Sequence, residues 1–235
     1  MTGGNGGAGV GPAPLLVPGR SLPEVHDVLA VCAHPDDESF GLGALLAGFS
    51  ERGSTVRVLC FTHGEASTLG LTGRPLGEVR ARELRAAADV LGVTEVELLS
   101  YPDGRLSELP LQEAEHIVAR SLRGADLVLV FDEGGITGHP DHCRATEAAL
   151  GAAAKAHVPV LAWALPEKVA GELNREFGTC FVGRADAEID LSVKVDRERQ
   201  HAAVACHVSQ ARDNPVLRRR LELLGPNEQL RWLTR

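Results

Sequence analysis

The stretch Val28-Leu29-Ala30-Val31-Cys32-Ala33-His34-Pro35-Asp36-Asp37-Glu38 runs from an unbroken apolar segment into one imidazole and three carboxyls. An apolar run without alternation reads as a strand buried on both faces, as in a parallel sheet packed between helices. Ligands of open α/β sheets bind beyond the carboxyl ends of the strands, so the position of this polar cluster is as informative as its composition. Pro35 biases His34 towards extended backbone. Three carboxyls beside one imidazole repel one another unless a cation sits among them or one keeps its proton.

The same grammar repeats along the chain. Residues 40–52 carry Leu42, Leu45, Leu46 and Phe49 at helical spacing and stop at Gly53; residues 55–61 form a second buried strand ending in Thr62-His63-Gly64-Glu65. Residues 69–76 read as a glycine-containing loop at a pocket rim. Residues 78–91 predict a helix on which Arg80, Arg82, Glu83 and Arg85 form a largely solvated, salt-bridged face. A short strand at 95–99 leads to the turn Tyr101-Pro102-Asp103-Gly104, followed by a helix at 109–122 and a continuous apolar strand at 127–131. Next come a glycine-rich loop, His139-Pro140-Asp141-His142, and an alanine-rich helix at 145–156. A strand at 158–164, a helix opened by Pro166, an edge strand at 187–191 and helices at 196–210 and 215–224 complete the pattern. The alternation predicts an α/β chain: a single Rossmann-like three-layer domain at 23–235 with a mostly parallel sheet and its site at the carboxyl edge of the strands. Residues 1–22, rich in Gly and Pro and lacking apolar periodicity, read as a flexible leader.

With 32 acidic residues against 24 basic ones and a net charge of -8, the chain lacks the basic footprint of a nucleic-acid binder, and small molecules are the expected partners. No apolar run is long enough to span a bilayer, and the amino terminus has neither a basic region nor an apolar core, which predicts a cytoplasmic protein. Five scattered cysteines without a CxxC pair read as reduced thiols, with Cys32 and Cys60 as small core residues.

Two strand ends each deliver an imidazole with carboxyls: His34-Pro35-Asp36-Asp37 and His139-Pro140-Asp141-His142. In a parallel sheet both point to one edge and supply candidates for a His₂-carboxylate metal site with a coordination position left open for water, the catalytic rather than the structural arrangement. His34 and Asp37, three residues apart on a tight turn, can bite one ion. Asp36 then projects elsewhere and is free to take a proton from water. His139 would stabilise an oxyanion or protonate a leaving amine, with Asp141 holding its orientation. The same residue types also describe a non-haem iron(II) oxygenase, although that chemistry suits antiparallel barrels better than alternating strands and helices.

Ala33-His34-Pro35-Asp36-Asp37-Glu38, Thr62-x-Gly64-Glu65, Arg80-x-x-Glu83 and His139-Pro140-Asp141-His142 together resemble the signatures of the LmbE-like, or PIG-L, family of metal-dependent N-acetylglucosaminide deacetylases. The resemblance covers residues 25–210, and His207-Val208-Ser209-Gln210 also resembles a family pattern. It implies that His34, Asp37 and His142 bind Zn2+, with Fe2+ or another divalent metal as an alternative. It further implies that Asp36 is the general base towards water on the ion, and that His139 backed by Asp141 serves the oxyanion and leaving group. Arg80 and Asp103 would contact substrate, while Glu38 and Glu65 fix loops. His63, His116, His157 and His201 read as structural or exposed, and His207 as either a family residue or a packed helical histidine. The implied activity is hydrolysis of an N-acyl amide, foremost N-acetyl, on an amino sugar or glycoconjugate. An amidase of thiol conjugates and a metal-retaining, non-catalytic carbohydrate binder are the alternatives, and related proteins often form homo-oligomers.

Overall fold

A computed structural model describes residues 20–69 and 75–235 of the chain. The leader up to residue 19 and most of the 69–76 loop therefore lie outside the described residues. Leu22, placed in the leader by its sequence, is 4% exposed and packs in the core.

Strand β1 (Asp27–Cys32) has a neighbour on each side: β2 (Thr55–Thr62) and β4 (Leu127–Phe131), both parallel to it. Outward from these lie β3 (Glu95–Tyr101) beside β2, and β5 (Val160–Pro166) beside β4. The order β3-β2-β1-β4-β5 is that of a doubly wound sheet, and the strand order reverses between β1 and β4. A crevice opens beyond the carboxyl ends of those two strands. The quoted stretch and the His139 motif follow them.

The uninterrupted apolar run of β1 is explained by burial on both sides. Val28, Ala30 and Cys32 face one layer, with Leu45, Leu46 and Phe49 of α2 (Gly43–Glu51) and Leu84, Ala87 and Leu91 of α3 (Leu76–Leu91). Leu29, Val31 and Ala33 face the other, with Ala114 and Val118 of α4 (Leu111–Ser121) and Ala145, Ala148, Ala149 and Ala152 of α6 (Pro140–Ala156). Each fully buried Leu or Phe in these layers contributes about 1.5–3 kcal/mol by leaving water. Small alanines on α6 let that helix approach the sheet closely, which brings its amino terminus to the crevice.

Several boundaries differ from the periodicity reading. The helix expected at 40–52 is two, α1 (Asp37–Phe40) and α2, because the amides of Gly41 and Leu42 close on the Asp37 carbonyl before the chain turns. After the short α5 (Gly135–Gly138), the helix expected at 145–156 begins earlier, where Pro140 occupies the first turn and His139 accepts the Asp141 amide as its cap. After α7 (Glu167–Phe177) and the short β6 (Gly183–Arg184), the edge strand β7 is Leu191–Lys194 rather than 187–191, since Asp186–Glu188 form a 3₁₀ turn. The helix expected at 196–210 breaks at His207 into α8 (Glu198–Cys206) and α9 (Val208–Ala211). Helix α10 (Pro215–Leu224) matches its sequence reading, and a strand absent from that reading follows it. This strand, β8 (Asn227–Thr234), runs antiparallel between β5 and β7 and makes the sheet mixed.

Candidate active site

His34 and Asp37 come from the loop after β1, His142 from the first turn of α6. His34 Nδ1 lies 3.1 Å from His142 Nε2, His142 Nε2 lies 3.1 Å from Asp37 Oδ1, and His34 Nδ1 lies 4.0 Å from Asp37 Oδ2. The far nitrogen of each imidazole already has a partner. His34 Nε2 faces Asp103 Oδ1 at 3.0 Å and Asp141 Oδ2 at 3.3 Å, while His142 Nδ1 faces the Gly135 carbonyl at 3.0 Å. Those acceptors place a proton on each far nitrogen and leave the near nitrogens with lone pairs aimed at each other and at a carboxylate. Two lone pairs and an anion at such distances require a positive charge between them, either an added proton or a cation. With no cation present, burial would lower the His34 pKa, but the carboxylates of Asp103, Asp141 and Asp37 together push it up to about 10. Imidazole nitrogens and a carboxylate oxygen form a donor set suited to a divalent transition metal, and these three residues fit one.

Asp37 is fixed by its own loop. Its Oδ2 accepts the amides of Ala33 and His34, both at 2.9 Å. Burial would raise its carboxyl, yet the facing His142 and His34 and these backbone bonds hold it well below the usual carboxylate range.

Asp36 has a different fate. It adopts φ 114°, ψ −24°, a left-handed conformation that costs a non-glycine residue on the order of 1–3 kcal/mol. Its carboxylate pairs with Arg80 Nη2 at 2.9 Å. Burial, with a contribution from Asp37, raises the Asp36 carboxyl above its ordinary value against the opposing Arg80. Arg80 is 3% exposed, not part of a solvated face, and its guanidinium also donates to the carbonyls of Pro35 and Gly64. The geometry therefore places Arg80 behind Asp36, where the sequence reading had it reaching substrate. Gly64 has φ 63°, and a Cβ there would lie 2.1 Å from Arg80 Nη1, so only glycine fits this approach.

His139 accepts the Asp141 amide at its Nδ1 (3.2 Å), which leaves Nε2 as an N–H donor. Burial, together with the neighbouring His34 and His142, lowers its pKa and favours the neutral ring. Asp141 does not back His139 as the sequence reading had it. Its carboxylate accepts from Gly104 N at 2.8 Å and Leu106 N at 2.9 Å and faces His34 Nε2, because the α6 terminus directs it under the β3–α4 loop. Asp103 Oδ2 accepts from Ala66 N, and Glu65 Oε1 accepts from Asp103 N, so Glu65 ties two loops together. Of the remaining histidines, His116, His157 and His201 are exposed, and His63 bonds Gly77 O and Ser100 Oγ.

Sequence reasoning missed Gln200 and Arg220, which with His207, left open there, fasten α1 from the far end of the chain. Gln200 Nε2 donates to Ser39 O, Arg220 Nη2 to Phe40 O, and His207 Nε2 lies 2.6 Å from Glu38 Oε1. Arg220 is buried over the Trp163 ring, and burial lowers its guanidinium to about 10. A signal existed: Arg220 falls on the apolar stripe of Leu217, Leu221 and Leu224, as Arg80 falls on that of Leu84, Ala87 and Leu91.

Residues 29–153 match the family model described as PIG-L, GlcNAc-PI de-N-acetylase. A 1D-myo-inositol 2-acetamido-2-deoxy-alpha-D-glucopyranoside deacetylase of Salinispora arenicola is 30% identical over 253 residues, covering 84% of this chain and 80% of that protein. The enzyme of the same name from Kineococcus radiotolerans is 34% identical over 160 residues, 54% of this chain, and the match spans less than half (44%) of the Kineococcus protein. Among solved structures, the N,N'-diacetylchitobiose deacetylase of Pyrococcus horikoshii superposes with a TM-score of 0.66 at 25% identity, covering 90% of this chain and 85% of that one.

Proposed function

As the chain belongs to the PIG-L (LmbE-like) family, we propose that it hydrolyses the N-acyl amide, foremost N-acetyl, of an amino sugar or small glycoconjugate. One observation carries the reading: three metal-suited atoms converge from the ends of β1 and β4 while the adjacent Asp36 is held apart from that set by Arg80. His34, Asp37 and His142 would hold the divalent ion, zinc by our reading. Such an ion makes water acidic near neutral pH and polarises an amide carbonyl.

Asp36 takes the proton of the attacking water. Its raised pKa suits a group that must accept a proton and then give it up. His139, neutral and with Nε2–H as its donor, donates to the carbonyl oxygen as that oxygen becomes negative and guides protonation of the departing amine. Asp141 and Asp103 orient His34, and Asp103 stands at the loop edge where a sugar hydroxyl would bind.

No described helix is long and apolar enough to cross a membrane. The five free cysteines fit a reducing, cytoplasmic setting. The test is acetate release from a panel of N-acetyl hexosaminides by purified protein of measured metal content. A metal-loaded protein that releases acetate from none of them overturns the reading.

A further inference from the structure

We propose that His207, acting through Glu38, is a positioning residue that holds Asp36 in its left-handed backbone conformation and thereby sets the direction of its carboxylate. The inference rests on the reading of Asp36 as the general base, but the contacts that carry it do not.

Three sets of bonds hold Asp36. Arg80 takes its carboxylate, the amides of Ser39 and Phe40 donate to its carbonyl, and Glu38 Oε2 accepts its amide at 2.9 Å. Glu38 has no solvent exposure, so its orientation depends on what its other oxygen finds. Glu38 Oε1 accepts Ser39 Oγ–H at 2.6 Å and faces His207 Nε2 at 2.6 Å. Ser39 belongs to the same short helix and moves with it. Among the described residues, His207 alone ties the Glu38 side chain to another part of the fold: it lies 169 residues along the chain and is itself fully buried. It sits where the backbone breaks between α8 and α9, beyond the residues matched by the family model. Phe40 packs edge-on against its ring at 5.7 Å and limits its tilt.

Asp37 does not depend on this chain of contacts. Its carboxylate is set by the amides of Ala33 and His34, and His142 comes from α6. Loss of His207 therefore leaves the metal-suited group in place and frees Glu38, and with it the one side-chain bond on the Asp36 amide. A core histidine that merely fills space would affect both or neither.

The experiment uses the full chain with metal bound and compares wild type, His207→Ala, and His207→Gln, whose amide restores an N–H donor to Glu38. His207→Asn, a donor too short to reach, leaves a smaller void and stands in for Ala if that variant does not fold. Three readouts are taken: the Asp36 backbone in a crystal structure, metal stoichiometry, and kcat and KM for acetate release from an N-acetyl hexosaminide. For the Ala or Asn variant we expect Asp36 to leave the left-handed region, metal stoichiometry to stay at the wild-type value, and kcat to fall roughly 10²-fold at unchanged KM, as for a reacting group misplaced by about 1 Å. Gln recovers most of the loss. Asp36 remaining at φ near 114° without His207 overturns the inference, as does Gln performing no better than Ala. A wild type that releases no acetate overturns the deacetylase reading instead, and the Asp36 backbone still decides the role of His207.

Discussion

Asp141 Oδ2 lies 3.3 Å from His34 Nε2, while His34 Nδ1 is turned to His142 and Asp37. Together with Asp103 Oδ1, 3.0 Å from the same nitrogen, this carboxylate fixes which nitrogen of His34 carries the proton, and so which one is available to a cation. Replacing Asp141 with Ala is expected to weaken metal affinity by roughly 10–100-fold, the usual effect of losing such an outer partner. It also strands the buried amide of Leu106, at a cost of about 1–3 kcal/mol. Competition titration with a chromophoric chelator reads the first effect and urea unfolding the second. Unchanged metal affinity would mean that Asp141 does not set the His34 tautomer.

Asp36→Asn keeps the size of the side chain and removes its capacity to accept a proton. We expect kcat to fall by about 10²–10⁴-fold with metal content intact. Steady-state acetate release together with elemental analysis checks both parts, and full activity in the metal-loaded variant would assign the base elsewhere.

His142→Ala removes one of the three converging donors while α6, capped at His139 and Pro140, keeps its helical start. The expected result is loss of bound metal with unchanged far-ultraviolet circular dichroism. Chelation of the wild type should abolish hydrolysis, and re-addition of a divalent metal should restore it. Retention of stoichiometric metal by the variant would remove His142 from the ligand set.

Gly64→Ala tests the packing behind Asp36. The new methyl would meet the Arg80 guanidinium at a positive φ, so both strain and displacement of Arg80 are expected. Gly53→Ala is the control, since Gly53 also has a positive φ but nothing lies within 4 Å of the position a methyl would take there. Both should lose on the order of 1 kcal/mol or more to backbone strain, and Gly64→Ala alone should also lose activity. Equal activity in the two variants would show that the Arg80 contact with Asp36 is dispensable.

The strands around the crevice were readable because burial on both faces keeps β4, β5, residues 28–32 of β1 and residues 58–61 of β2 apolar. The two motifs were readable because they stand directly after such strands. β8 was not: in Asn227-Glu228-Gln229-Leu230-Arg231 only Leu230 is apolar, and the buried Glu228 is held by Arg197 and Trp163 from elsewhere in the fold. Asp141 was paired with the wrong histidine for a related reason. Spacing gives the reach of a side chain, but the loop carrying Gly104 and Leu106 decides where that carboxylate finds donors. His207 was left open because its partner, Glu38, is distant in sequence.

The late position of β8 in the chain has a consequence for biosynthesis. Synthesis proceeds from the amino end, and a nascent chain that has emerged through β5 already carries His34, Asp36, Asp37, His139 and His142. It has no Gln200, His207 or Arg220 to fasten α1, and the edge of β5 that β8 will occupy is still bare. Such an intermediate holds the reactive groups without their alignment and offers an open strand edge to other chains. The fastening of α1 therefore waits for Gln200, His207 and Arg220, and a chain stalled before β8 is expected to aggregate through the bare edge of β5.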